Sequence, residues 1–95
     1  MMNYTSSDRN AIYDRAIAKW GEAHQIVKCV EEMSELIKEI CKSSEGAKNQ
    51  FHMAEEIADV QITTEQLIRI FDLEELVKYH RDMKIFRLEK RIENE

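Results

Sequence analysis

The sequence predicts an all-α protein: a four-helix bundle built around a helical hairpin, assembled as a dimer or a dimer of dimers. Three observations point to helices. The 95 residues include no proline and only two glycines, Gly21 and Gly46, so few positions can break a helix or form a tight turn. Charged residues make up 35% of the chain, too many for a two-layer β protein and usual for amphipathic helices. Apolar residues recur at spacings of three and four along most of the length.

The first helix is expected from about Asp8 to Lys19, with Ser6 or Ser7 as cap and Ile12, Ala16, Ile17 and Trp20 on one side. Gly21 marks a bend or break. The second runs from about Glu22 to Lys42, and its Ile26, Val30, Met33, Ile37 and Ile40 form a packing stripe. Ser43–Asn49 (SSEGAKN) is the one convincing loop, and Asn49 is placed to cap a third helix that runs to about Phe71. That helix carries Met53, Ile57, Val60, Thr64, Leu67 and Phe71 in the same rhythm. Asp72 and Glu75 have the spacing of a capping box opening a fourth helix, with Leu76, Tyr79, Met83 and Phe86 along it. The short loop makes helices two and three an antiparallel hairpin. The methionines read as core filler.

Residues 1–95 read as a single domain, near the lower end of what folds alone. Ile12, Ile17, Cys29, Leu36, Ile62, Ile68, Ile85 and Leu88 fall outside the main stripes, a surplus of apolar surface that predicts association with a second copy. The net charge of −5 argues against general nucleic-acid binding, which needs a basic surface. Cys29 and Cys41 lie roughly 18 Å apart on one helix, too far to bridge, and read as reduced, half-buried thiols of a cytoplasmic protein. Neither a signal-like apolar segment nor a membrane span is expected.

Two acidic clusters carry the chemistry. Glu31-Glu32-Met33-Ser34-Glu35 lies on helix two and Glu55-Glu56-Ile57-Ala58-Asp59 on helix three. Each holds acids at i and i+3, neighbours on a helix surface. Glu32 and Glu56 flank their stripes, with Glu35 and Asp59 roughly 60° further round, so an antiparallel hairpin can bring the pairs together. Four carboxylates in one place repel unless a cation joins them, and an all-oxygen set suits a hard ion such as Mg²⁺. A di-iron site of the Glu-x-x-His type is excluded, because neither cluster has a histidine three residues on. The competing reading is a non-catalytic helical interaction module whose acids are solvated flanks.

EEMSEL (Glu31–Leu36) and EEIADV (Glu55–Val60), with twenty residues between Glu35 and Glu56, resemble the EExxE and ExxD motifs of the MazG-like all-α nucleoside triphosphate pyrophosphohydrolases. The likeness extends back through WGEAHQIVKCVEE and forward into RDMKIFRLEKR. It implies hydrolysis of a nucleoside triphosphate to monophosphate and pyrophosphate, with Mg²⁺ (Mn²⁺ a possible substitute) held by Glu32, Glu35, Glu56 and Asp59. Glu31 would be an outer acid that joins the metal site or orients water. Lys84 and Arg91 match basic positions that contact phosphates in such proteins, whereas Arg87 stands where asparagine is common. Trp20 would lie near the base, and Gln25 and Lys28 face the acidic motif from one and two turns away. His24 and His52 have no partner at ligand spacing and receive no role.

Overall fold

The computed structural model describes residues 2–44 and 49–95. They form four α-helices and no strand: α1 (Ser6–Trp20), α2 (Glu22–Ser44), α3 (Gln50–Phe71) and α4 (Glu74–Asn94). None is long and apolar enough to cross a membrane. Most of the predicted loop, residues 45–48, lies outside the described residues, but Ser43 and Ser44 belong to α2.

The helix ends follow local chemistry. Thr5, not Ser6 or Ser7, caps α1. Its hydroxyl accepts from the Asp8 amide while the Asp8 carboxylate accepts from the Thr5 amide, both at 3.0 Å. That reciprocal pair satisfies two otherwise orphan donors. Gly21 separates α1 from α2 at φ 94°, a conformation that strains any residue with a Cβ. Its amide donates to Ile17 O at 2.8 Å, closing α1, and its carbonyl accepts from Gln25 N at 3.2 Å, opening α2. Asn49 caps α3 as expected, its side chain accepting from the His52 amide at 3.1 Å. The expected Asp72–Glu75 capping box does not form. Asp72 instead takes the left-handed conformation that ends α3 (φ 54°), and Leu73 precedes α4 without a side-chain cap. With two residues between the helices, Asp72 is committed to stopping the first and cannot also start the second.

The largest correction concerns the apolar stripes. Val30 and Ile37 are 59% and 61% exposed, and Met33 and Ile40 are exposed with them. The α2 residues that turn inward lie one position away: Gln25 and Cys29 are buried, and Leu36 is half-buried. On α3 the inward positions are Glu56, Thr63 and Gln66. Gln25 Nε2 donates to Gln66 Oε1 at 2.6 Å across the hairpin, so its centre is a polar seam. Several residues counted as surplus, Ile17, Cys29, Leu36 and Ile68, are thus part of the packed interior, while the stripe of α2 faces out. Cys29 and Cys41 are both free, but the first is fully buried and the second exposed, and Met33 and Met83 are surface residues rather than filler.

α1 packs on α2 and α3, whereas α4 meets α3 alone and buries none of its residues. The radius of gyration is 16.1 Å, against about 12 Å for a compact globule of this length. This open form comes from α4, tethered by Arg69. The Arg69 guanidinium forks onto Asp14 of α1 at 3.0 and 2.7 Å and donates to Glu74 of α4 at 2.8 Å.

A second polar link joins α1 to α3. The buried Tyr13 hydroxyl donates to Glu65 Oε1 at 2.5 Å, and Arg9 Nε donates to the same oxygen at 3.0 Å. Burial and the neighbouring carboxylate push the Tyr13 hydroxyl up to about 12. Burial also works to raise Glu65, but the bonds from Tyr13 and Arg9 prevail and hold its carboxyl below its ordinary value. A lowered carboxyl contributes stability that is present above its unfolded pKa of about 4.3 and is lost as pH falls through the folded value. Tyr13→Phe should therefore cost about 1.5–3 kcal/mol at neutral pH, the worth of a hydrogen bond to a charged group. The gap to wild type should narrow as pH falls below about 4. Thermal unfolding at pH 7 and pH 3 tests this, and parallel losses at both would remove Glu65 from the explanation.

Candidate metal centre

The antiparallel hairpin sets α2 and α3 in a register that matches Gln25 with Gln66 near one end and Glu39 with His52 near the other. The acidic motifs lie between, and their carboxylates meet. One oxygen each from Glu32, Glu56 and Asp59 lie within 4.8 Å of one another. Glu56 is only 9% exposed, and its Oε2 is buried with no hydrogen-bond partner. Burial raises the Glu56 carboxyl, His52 opposes that, and Asp59, Glu35 and Glu32 raise it further. This is the signature of negative charge gathered in a partly dehydrated place.

The donor set fits a hard divalent cation. Every ligand is a carboxylate oxygen, one of them orphaned and buried, and the remaining side of the cluster is open to water and phosphate oxygens. Glu35 lies beside this group, close enough to influence Glu56, and its half-exposed side chain is 3.8 Å from Lys38 Nζ. Glu31 is more exposed, 4.0 Å from Lys28 Nζ. The structure thus gathers Glu32, Glu56 and Asp59 tightly and leaves Glu35 and Glu31 on the solvent side.

The expected substrate contacts divide. Lys28 Nζ stands 3.5 Å from Glu32 Oε1, at the edge of the carboxylates. Gln25 does not face the site: its amide is buried and spent on Gln66 and His24. Trp20 is exposed at the end of α1, with Lys19 Nζ 5.6 Å from its ring centroid. Lys84 and Arg87 are exposed and, among the described residues, form no ion pair, while Arg91 pairs with Glu95 at 3.6 Å. Lys84 lines an apolar groove along α4 with Leu73, Leu76, Val77, Ile85 and Leu88, none of the carboxylates among them.

Two residues without a role in the sequence reading stand at the site. Glu39 is 5% exposed, and His52 Nε2 lies 3.5 Å from Glu39 Oε2 and 3.6 Å from Glu56 Oε1. A signal for both exists in the spacing. Glu39 extends Glu32 and Glu35 along one face of α2, as i, i+3, i+7, and His52 precedes Glu56 and Asp59 on α3 as i, i+4, i+7. A search for histidine three residues after an acid misses a histidine four residues before one.

Comparison of the chain with protein-family models, with curated proteins and with solved structures finds no match in any of the three.

Proposed function

We propose that the chain is a Mg²⁺-dependent nucleoside triphosphate pyrophosphohydrolase of the MazG-like kind, working as a homodimer or dimer of dimers. The observation that carries this reading is the convergence of the Glu32, Glu56 and Asp59 carboxylates within 4.8 Å around a buried, unpartnered Glu56 oxygen. The motif resemblance of EEMSEL and EEIADV adds the reaction class.

In this reading Glu32, Glu56 and Asp59 are the inner ligands, and Glu35 completes the set from the solvent edge. Bound there, Mg²⁺ supplies charge neutralisation to the triphosphate and polarises the phosphoryl oxygens. Glu31 and Glu35, nearer solvent, orient the attacking water and accept its proton. The water oxygen bonds to the α-phosphorus, the bridge to the β-phosphorus breaks, and pyrophosphate leaves. Lys28 reaches the triphosphate from the α2 side. Lys84, Arg87 and Arg91 are too little engaged within one chain to be assigned phosphates there, and in a dimer they are available to the partner copy.

The test is product analysis by phosphorus NMR with each common NTP and dNTP plus Mg²⁺. Stoichiometric monophosphate and pyrophosphate are expected from at least one triphosphate. Orthophosphate as the first product, or no turnover of the whole panel, would overturn the proposal.

A further inference from the structure

The loop end of the hairpin carries a group of side chains that magnesium chemistry does not use. Glu39 is 5% exposed, and a carboxylate buried that far costs free energy unless a cation meets it. His52 Nε2 approaches it at 3.5 Å and Glu56 Oε1 at 3.6 Å. Both separations exceed the roughly 2.7–3.2 Å of an N–H···O hydrogen bond. They fit instead two donors sharing one cation, since ligands about 2.0–2.2 Å from a zinc-like ion lie roughly 3.0–3.6 Å from each other. The other ring nitrogen, Nδ1, is 3.4 Å from Glu55 Oε1. A carboxylate on the outer nitrogen is how metal-binding histidines are oriented: a proton on Nδ1 leaves the Nε2 lone pair facing Glu39 and Glu56. Independently, Glu56 is nine-tenths buried with Oε2 unpartnered while Oε1 faces His52, so its carboxylate has oxygens for two ions.

We propose a second metal site at this end of the hairpin, in which His52 Nε2, Glu39 and Glu56 bind a borderline divalent cation of the zinc, cobalt or manganese class, with Glu55 orienting the imidazole. Imidazole shifts preference away from Mg²⁺ toward these ions, while the all-oxygen set of Glu32 and Asp59 retains the harder one. The imidazole is partly exposed, which leaves an entry path from solvent, and water or a ligand completes the coordination. The site touches the proposed magnesium centre only through Glu56 and holds whichever reaction that centre performs.

The experiment titrates the metal-stripped full chain with Co²⁺ and Zn²⁺ in the absence of nucleotide. Co²⁺ should give visible absorption bands of low-coordinate geometry, and Zn²⁺ should move the His52 Nε2 resonance in nitrogen NMR of the unmutated protein. His52→Ala and Glu39→Gln should each weaken Zn²⁺ binding by at least about tenfold to a hundredfold, and Glu55→Gln by up to about tenfold. Asp59→Asn should leave Zn²⁺ binding in place. An unmoved His52 resonance, or equal Zn²⁺ affinity in wild type and His52→Ala, would overturn the proposal and make the contact an ordinary bridge between helices. Zn²⁺ binding without any pyrophosphate release would sink the hydrolytic reading alone, and the converse result would sink this one alone.

Discussion

Asp59→Asn should lower kcat/KM for the preferred triphosphate at least a hundredfold while leaving the helices formed. The substitution keeps the shape of the side chain and removes one of the three charges that converge within 4.8 Å. A metal that neutralises phosphoryl charge contributes several kcal/mol to the transition state. Two orders of magnitude correspond to about 2.7 kcal/mol, so the expected loss is within what one ligand carries. Glu56→Gln should have the same kinetic effect and a second, opposite effect on stability. Burial and three neighbouring acids disfavour the charge on Glu56, so its neutral counterpart should unfold at a higher temperature than wild type when Mg²⁺ is absent. Added Mg²⁺ should stabilise the wild type and do little for the variant. Kinetics within tenfold of wild type for both variants would remove these residues from the ligand set, whatever their effect on melting.

Ile37→Glu should turn an assembled protein into a monomer of 11.3 kDa, read by light scattering at micromolar concentration. In one copy Val30, Met33, Ile37 and Ile40 form an apolar row in contact with water, and Leu76, Tyr79, Met83 and Phe86 of α4 are exposed as well. Soluble monomers seldom present so much contiguous apolar surface. A carboxylate placed in the centre of a buried row costs several kcal/mol unless it finds a partner, which exceeds what most small interfaces can absorb. An exposed control on the opposite face, such as Lys38→Glu, should leave the mass unchanged. Wild type running at 11.3 kDa, or Ile37→Glu running at the wild-type mass, would end the argument for this face as the interface.

A good part of this protein is legible in the order of its residues. Helix existence follows from composition, because a chain with no proline and two glycines offers few places to stop. Gly21 separates α1 from α2 and Asn49 opens α3 through contacts within a few residues, so local chemistry suffices to find them. The pairing of the acidic motifs is also legible: i, i+3 spacing puts each pair on one side of its helix, and a short loop brings the helices together. Local signals fail where two compete, as at Asp72, whose residue type suits a helix start but whose left-handed backbone ends α3.

Tertiary structure alone decided which face of each helix turns inward. A repeat of three and four identifies an amphipathic helix but is identical whether the apolar side meets the same chain or another copy. Here the hairpin closes on Gln25–Gln66, the carboxylates and Glu39–His52, and the apolar row of α2 is left outward. Burying those polar groups is tolerated because each finds a partner across the seam, apart from the Glu56 oxygen that has none. Glu39 and His52 were for that reason invisible as functional residues: they are thirteen positions apart on different helices, and what joins them is a register set by the whole hairpin, not by any spacing along the chain.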